Sequence, residues 1–192
     1  MADVTLTGPS IDAETWMWLP DVFPTEFHAS ADAWLAETGE FIRGFSAPDA
    51  TAEECLRTAA AVLATGAGRA DALARFWHVP PTRATLSIVS VLAWDDSADD
   101  RPLSERCLDG LEEGALQSMR EIDHPAATEA VATVAVARSG SHDGLTLARW
   151  MARRDGVILV VEAIVPAESA PVLLLAMTPD LDRLFVALSV WP

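Results

Sequence analysis

This 192-residue chain has no lysine, no tyrosine and no asparagine, and holds only two cysteines and four histidines. Each shortage excludes something. Without lysine, the thirteen basic residues are all arginine and stand against 29 acids, a formal net charge of −16. A cationic surface that would neutralise phosphates is missing, so DNA and RNA are excluded as partners, as is an anionic membrane surface. Two thiols far apart, Cys55 and Cys107, make neither a disulfide framework nor a metal site, and read as small buried hydrophobes. The histidines, His28, His78, His124 and His142, lack H-E-x-x-H or comparable spacing, and no cofactor motif is present, so neither a metal nor a cofactor is expected.

Long apolar runs are absent too. The longest begins at Val157 and is interrupted by Glu162, Pro166, Glu168 and Pro171, too soon to span a bilayer. The first sixteen residues carry no basic region followed by an apolar one, so no secretory signal is expected and the default location is the cytoplasm. No internal repeat is visible.

What is present is 51% hydrophobic residues and a positive mean hydropathy, which argue for a folded core. The acidity is uneven. Residues 1–60 carry a net −9 and residues 95–123 a net −7, whereas residues 138–192 are nearly neutral.

The clearest local signal is Leu145 to Val165, two strand-like runs around Asp155-Gly156. Asp then Gly suits a two-residue type I′ turn, which needs positive φ at both positions. Val157 to Val165 is almost continuously aliphatic, as in a strand covered on both faces. Upstream, residues 1–13 form a polar lead and residues 14–192 one domain. Thr15 to Pro20 reads as a short edge strand with Trp16 and Trp18 on one face. Ser30 caps a helix running to Phe45, and Thr51 with Glu54 forms a capping box that opens a second. Strands are expected over Leu73–Val79 and Thr82–Trp94, followed by a solvated acidic loop, DDSADD, and a helix from Leu103 to Met119. Four strands then follow: Glu129–Arg138, Leu145–Arg154, Val157–Val165 and Pro171–Thr178. A closing helix is capped by Thr178, with Pro179 at its first position and Leu181, Leu184, Phe185 and Leu188 in its stripe. The fold class is α+β: a mostly antiparallel twisted sheet with helices packed on its faces.

WMWLPDVFPTEFHASADAWLAE near the start and VLLLAMTPDLDRLFVALSVW at the end together resemble small uncharacterised actinobacterial proteins with a W-x-x-LP opening and an Ala-rich helix. The Arg- and Ala-rich composition suits a GC-rich genome of that kind. The layout is similar to the Mog1/PsbP-like group, whose members act as adaptors or accessory subunits. The resemblance implies a non-enzymatic role and transfers no site residue.

Candidate chemistry is sparse. Ser139, Ser141, His142 and Asp143 sit side by side, but a nucleophilic triad must converge from separate segments, and the glycines between them suit a hairpin loop. Asp95, Asp96, Asp99 and Asp100 lack the glycine and distal glutamate of a calcium loop. Glu162, within the most apolar strand, is a candidate buried polar site, with Arg149 or Arg153 as its partner from the adjacent arm. Trp16 and Trp18 are the candidate partner-binding residues. The expected function is a non-catalytic, acidic protein-interaction or accessory module, immunity-like or adaptor-like, for a basic protein partner. One alternative is a small-molecule-binding protein or enzyme with an apolar pocket between sheet and helices and Glu162 or His78 as its polar group. Another is a self-assembling subunit.

Overall fold

A computed structural model describes residues 6, 11–66, 71–79, 87–97, 99–109, 116–136, 145–166 and 170–190. They form seven strands and four helices, and the described strand ladders are antiparallel. Internal contacts divide the chain into two compact units, Asp12–Ile88 and Val89–Pro192 with Met1–Ile11.

The smaller unit contains β1 (Trp16–Trp18), α1 (Ala31–Phe45), α2 (Ala52–Gly66) and β2 (Ala74–His78). β1 pairs with β2, Met17 opposite Trp77. The Ser30 hydroxyl accepts the Ala33 N–H at 3.2 Å, the cap its sequence announces. The Thr51–Glu54 capping box also forms, Thr51 N–H reaching Glu54 at 2.8 Å and Glu54 N–H reaching Thr51 Oγ1 at 3.2 Å. Trp34, Thr38 and Ile42 recur every four residues on the buried side of α1, and Cys55, Ala59 and Val62 follow at spacings of four and three on α2. They close over Leu19, Trp77 and Val79, with Met17 packed alongside. Gly39 sets the helix–helix distance: a Cβ there would stand 2.9 Å from Leu56 Cδ2.

The larger unit contains β3 (Ile88–Asp95), whose first residue is grouped with the smaller unit, α3 (Leu103–Arg106), β4 (Leu116–Glu121), β5 (Glu129–Val136), β6 (Leu145–Arg154), β7 (Val157–Pro166) and α4 (Ala170–Ala187). Its strands lie in the order β3-β7-β6-β5-β4. Asp155 and Gly156 both have positive φ, 51° and 78°, so the β6–β7 hairpin has the turn its sequence specifies. α3 covers one face through Leu103 and Cys107 against Val131, Met151, Ile158 and Val160. α4 serves the other, where Trp150 donates its indole N–H to Asp182 at 2.7 Å.

Two expectations fail here. The helix expected from Leu103 to Met119 shortens to the four residues of α3, and Leu116–Glu121 is a strand instead. Pairing with β5 along its whole length decides that conformation, against the weak strand preference of Gln, Ser and Glu. Pro171–Thr178 is not a strand but the first half of α4. An aliphatic run does not distinguish strand from helix by itself. Leu, Ala and Met favour helix, and one buried stripe, Leu174, Met177, Leu181, Leu184, Phe185 and Leu188, runs through Pro179 without a break. Thr178 is therefore no cap, and its hydroxyl donates back to the Leu174 carbonyl at 2.6 Å. The first part of the strand expected over Thr82–Trp94, and the Ser139–Gly144 loop, lie outside the described residues.

Candidate interaction surface

The buried polar group comes first. Glu162 on β7 stands directly opposite Arg149 on β6, and the two are 3% and 6% exposed. Arg149 Nε and Nη2 donate to Glu162 Oε2 at 2.9 and 2.7 Å. Its Nη1 donates to the carbonyls of Cys107 and Asp109 at 3.0 and 2.9 Å. The guanidinium also lies 5.0 Å from the centre of the Trp94 ring. This arginine is wholly engaged: it neutralises a carboxylate, holds the turn after α3 and covers an aromatic face. The arrangement clasps the sheet to α3 and offers no reacting atom to a substrate.

Arg153, four residues along β6, turns to other partners. It reaches Asp96 at 2.7 Å and Glu129 at 3.0 Å. Asp96 also takes Arg106 at 2.5 Å. Arg101 grips Asp99 at 2.7 Å and Asp109 at 3.0 Å, and those hydrogen bonds hold the Asp99 carboxyl down to about 2, below the ordinary 3.8. The aspartates expected in a solvated loop are thus partly tied down, with the Asp96 side chain only 9% exposed. The reason is long-range: Arg153 lies 57 residues from Asp96 and reaches it only because β6 crosses the sheet. Among the described residues no group of three or more His, Cys, Asp or Glu side chains is placed to hold a metal ion.

Surface apolar groups gather in the smaller unit, which holds six of the nine large hydrophobic side chains that are exposed among the described residues. Trp16 and Trp18 share a side of β1 but differ in burial. Trp16 is 5% exposed and tilts against His78 with ring centres 4.8 Å apart, while Trp18 is 42% exposed. Val22 and Phe27 follow in the next loop, 73% and 75% exposed. The loop is held by local bonds: Thr25 N–H to the His28 carbonyl at 2.8 Å, and His28 N–H to Thr25 Oγ1 at 2.8 Å. Exposed carboxylates, Glu14, Asp21, Glu26, Glu37 and Glu40, surround this stretch in sequence, and no Lys or Arg occurs before Arg43. Alternation on β1 pointed to Trp16 and Trp18 together; Val22 and Phe27 carry no such mark, since isolated apolar residues in a Pro-rich loop have no periodicity.

A cleft of about 580 Å³ opens on the larger unit, lined among others by Ser104, Met119, Glu121, Glu129 and Val131. Glu162, Arg149 and His78 do not line it.

No known family model matches this chain, and no curated protein matches it in sequence. Among solved structures it is similar to a Pseudomonas aeruginosa protein of unknown function described as a candidate regulator, at 14% identity and a TM-score of 0.34, over 65% of this chain and 78% of that one. No described helix is long and apolar enough to cross a membrane.

Proposed function

We propose that this chain is a non-catalytic, cytoplasmic protein-interaction module that binds a basic protein partner through the smaller unit. One observation carries the reading: Trp18, Val22 and Phe27 stand exposed in a stretch rich in carboxylates and free of cations before Arg43. Exposed tryptophan and phenylalanine supply contact area, and exposed carboxylates, Glu14 and Glu26 among them, select a partner of opposite charge. The clasp at Arg149 and the arginine network of the larger unit are saturated with protein partners, which favours a structural role for them over catalysis. A role as adaptor or accessory subunit, of the Mog1/PsbP-like kind, suits an antiparallel sheet with helices.

A tagged pull-down from the native host, at low and at moderate salt, tests this. The expected result is a stoichiometric basic protein whose retention falls as salt rises, because screening weakens exposed charge pairs. A Trp18→Ala, Phe27→Ala double variant should lose it, by about 2 kcal/mol or more for a true anchor, while unfolding at the wild-type temperature. A clean bait at both salts, or a partner retained undiminished by the double variant, overturns the proposal.

A further inference from the structure

The second site lies on the opposite unit. β4 is the outermost strand of the larger unit among the described residues. Its ladder with β5 continues at Ile122, whose N–H donates to the Ala130 carbonyl at 3.0 Å. Hydrogen bonding alternates along an antiparallel pair, so Arg120 and Ser118 bond inward to β5, as Ile122 does. Gln117, Met119 and Glu121 then direct their N–H and C=O groups outward, away from β5. The side chains of Met119 and Glu121 share the face of Val131 and Thr133, the face that α3 covers and on which the 580 Å³ cleft opens.

The cleft has a definite electrostatic character. Glu129 is committed, accepting the Leu103 N–H at 2.9 Å on one oxygen and Arg153 at 3.0 Å on the other. Arg120, which also lines the cleft, is engaged by Asp182. The carboxylate of Glu121 is exposed and makes no ion pair or hydrogen bond among the described residues. Beside it, Met119 is 47% exposed, a flexible apolar side chain on an outer strand.

We infer that β4 captures an extended segment of a partner protein as an added strand, with a Lys or Arg side chain of that segment seated in the cleft against Glu121 and an apolar one against Met119. Main-chain bonds to Met119 and Glu121 give this mode its affinity, and the cleft gives it specificity at alternate positions. A cation is selected because an uncommitted carboxylate lines the cleft, in a chain of net charge −16. The inference stands apart from the smaller unit's surface and survives its failure.

A phage-displayed library of random dodecapeptides, panned on the intact chain, supplies the probe. The recovered sequences should carry Lys or Arg two residues from an apolar side chain. A resynthesised peptide should weaken roughly fivefold or more on Glu121→Lys, the value of a lost cross-strand charge pair. Met119→Pro should abolish binding while leaving the β4–β5 ladder intact, since it removes only an outward N–H. The same peptide N-methylated on alternate amides should fail on the unaltered protein, a control that needs no variant to fold. Trp18→Ala should change nothing. No enriched binder, binders without a cation, or binding indifferent to Glu121→Lys and to N-methylation overturns the inference. So does a dimer of the unliganded chain that Met119→Pro disperses, which would assign the edge to a second copy.

Discussion

The two units use charge in opposite ways. In the larger one, arginines of the sheet and of the segment around α3 bury or half-bury carboxylates: Arg149 to Glu162, Arg106 and Arg153 to Asp96, Arg101 to Asp99 and Asp109. In the smaller one, Arg75 is likewise buried and pairs with Asp21, but the helix pairs are local and wet. Arg57–Glu53 spans one helical turn with side chains 70% and 88% exposed, and Arg43–Glu40 is similar. The lesson is that a net charge read from sequence says little about which carboxylates are available. Many of those near residue 100 are internal cement, whereas those before Arg43 are mostly exposed, although Asp21, Glu37 and Glu40 hold partners of their own.

The sharpest way to break this comparison is Glu162→Ala. It leaves the Arg149 charge buried without its partner, which should destabilise the larger unit by about 3–5 kcal/mol in chemical denaturation. Replacing both, as Arg149→Met with Glu162→Leu, restores charge balance but still leaves the Cys107 and Asp109 carbonyls without their donor, so about 1–3 kcal/mol of loss should remain. A Glu162→Ala variant as stable as wild type would mean that the pair is solvated and the clasp is not structural.

A smaller effect on the same unit depends on pH. His124 is buried and packs edge-on against Phe185, 5.0 Å between ring centres. Burial lowers its pKa from 6.5, with carbonyls of Phe185 and Leu188 and the charge of Asp123 pulling the other way. The unfolded chain therefore binds the proton more readily, so the contribution of His124 is full above pH 6.5 and declines as pH falls through that value. Denaturation midpoints measured from pH 7.5 to 5 should show this decline, and His124→Gln should flatten it.

How much of this was legible beforehand follows from range in sequence. The β6–β7 hairpin was readable because Asp155-Gly156 sets its own turn, and the turn sets the register that puts Arg149 opposite Glu162. The caps at Ser30 and Thr51 were readable for the same reason, each bond spanning three residues. β4 was not: nothing in Leu116–Glu121 prefers a strand until β5 pairs with it. The first half of α4 was misread because its aliphatic run suits either conformation, and Pro179 looked like a beginning rather than an interior residue. The choice between Arg149 and Arg153 as partner of Glu162 needed the register, and the Asp96 network needed the whole sheet. Of the two tryptophans, alternation placed both on one side of β1, but only burial by surrounding structure separated Trp16 from Trp18.

In the smaller unit the expected effects are local and modest. Thr51→Ala removes both the side-chain acceptor for Glu54 N–H and the hydroxyl that holds the Glu54 carboxylate, and should cost about 1 kcal/mol. Gly39→Ala sets two terms against each other. Alanine in a helix interior gains about 1 kcal/mol over glycine. Its methyl would meet Leu56 Cδ2 at 2.9 Å, but Leu56 is 43% exposed and has solvent into which to turn. The helix term should prevail, leaving a net gain of about 0.5 kcal/mol.

The smallest effect completes the contrast. Glu53→Ala removes the partner of Arg57 across 3.9 Å of nearly open solvent. An exposed pair four residues apart gains little from attraction in water, and holding two long side chains together offsets most of that gain, so the loss should lie within about 0.5 kcal/mol. The glutamate also sits in the first turn of α2, where its charge favours the helix N-terminus, a contribution of similar size. A second variant, not salt, separates the two. Screening acts on both, but only the pair vanishes in an Arg57→Ala background. If Glu53→Ala costs the same in that background as in wild type, the helix end accounts for the whole effect. The ion pair would then contribute nothing measurable, and Glu53 would be as free for a partner as its exposure indicates.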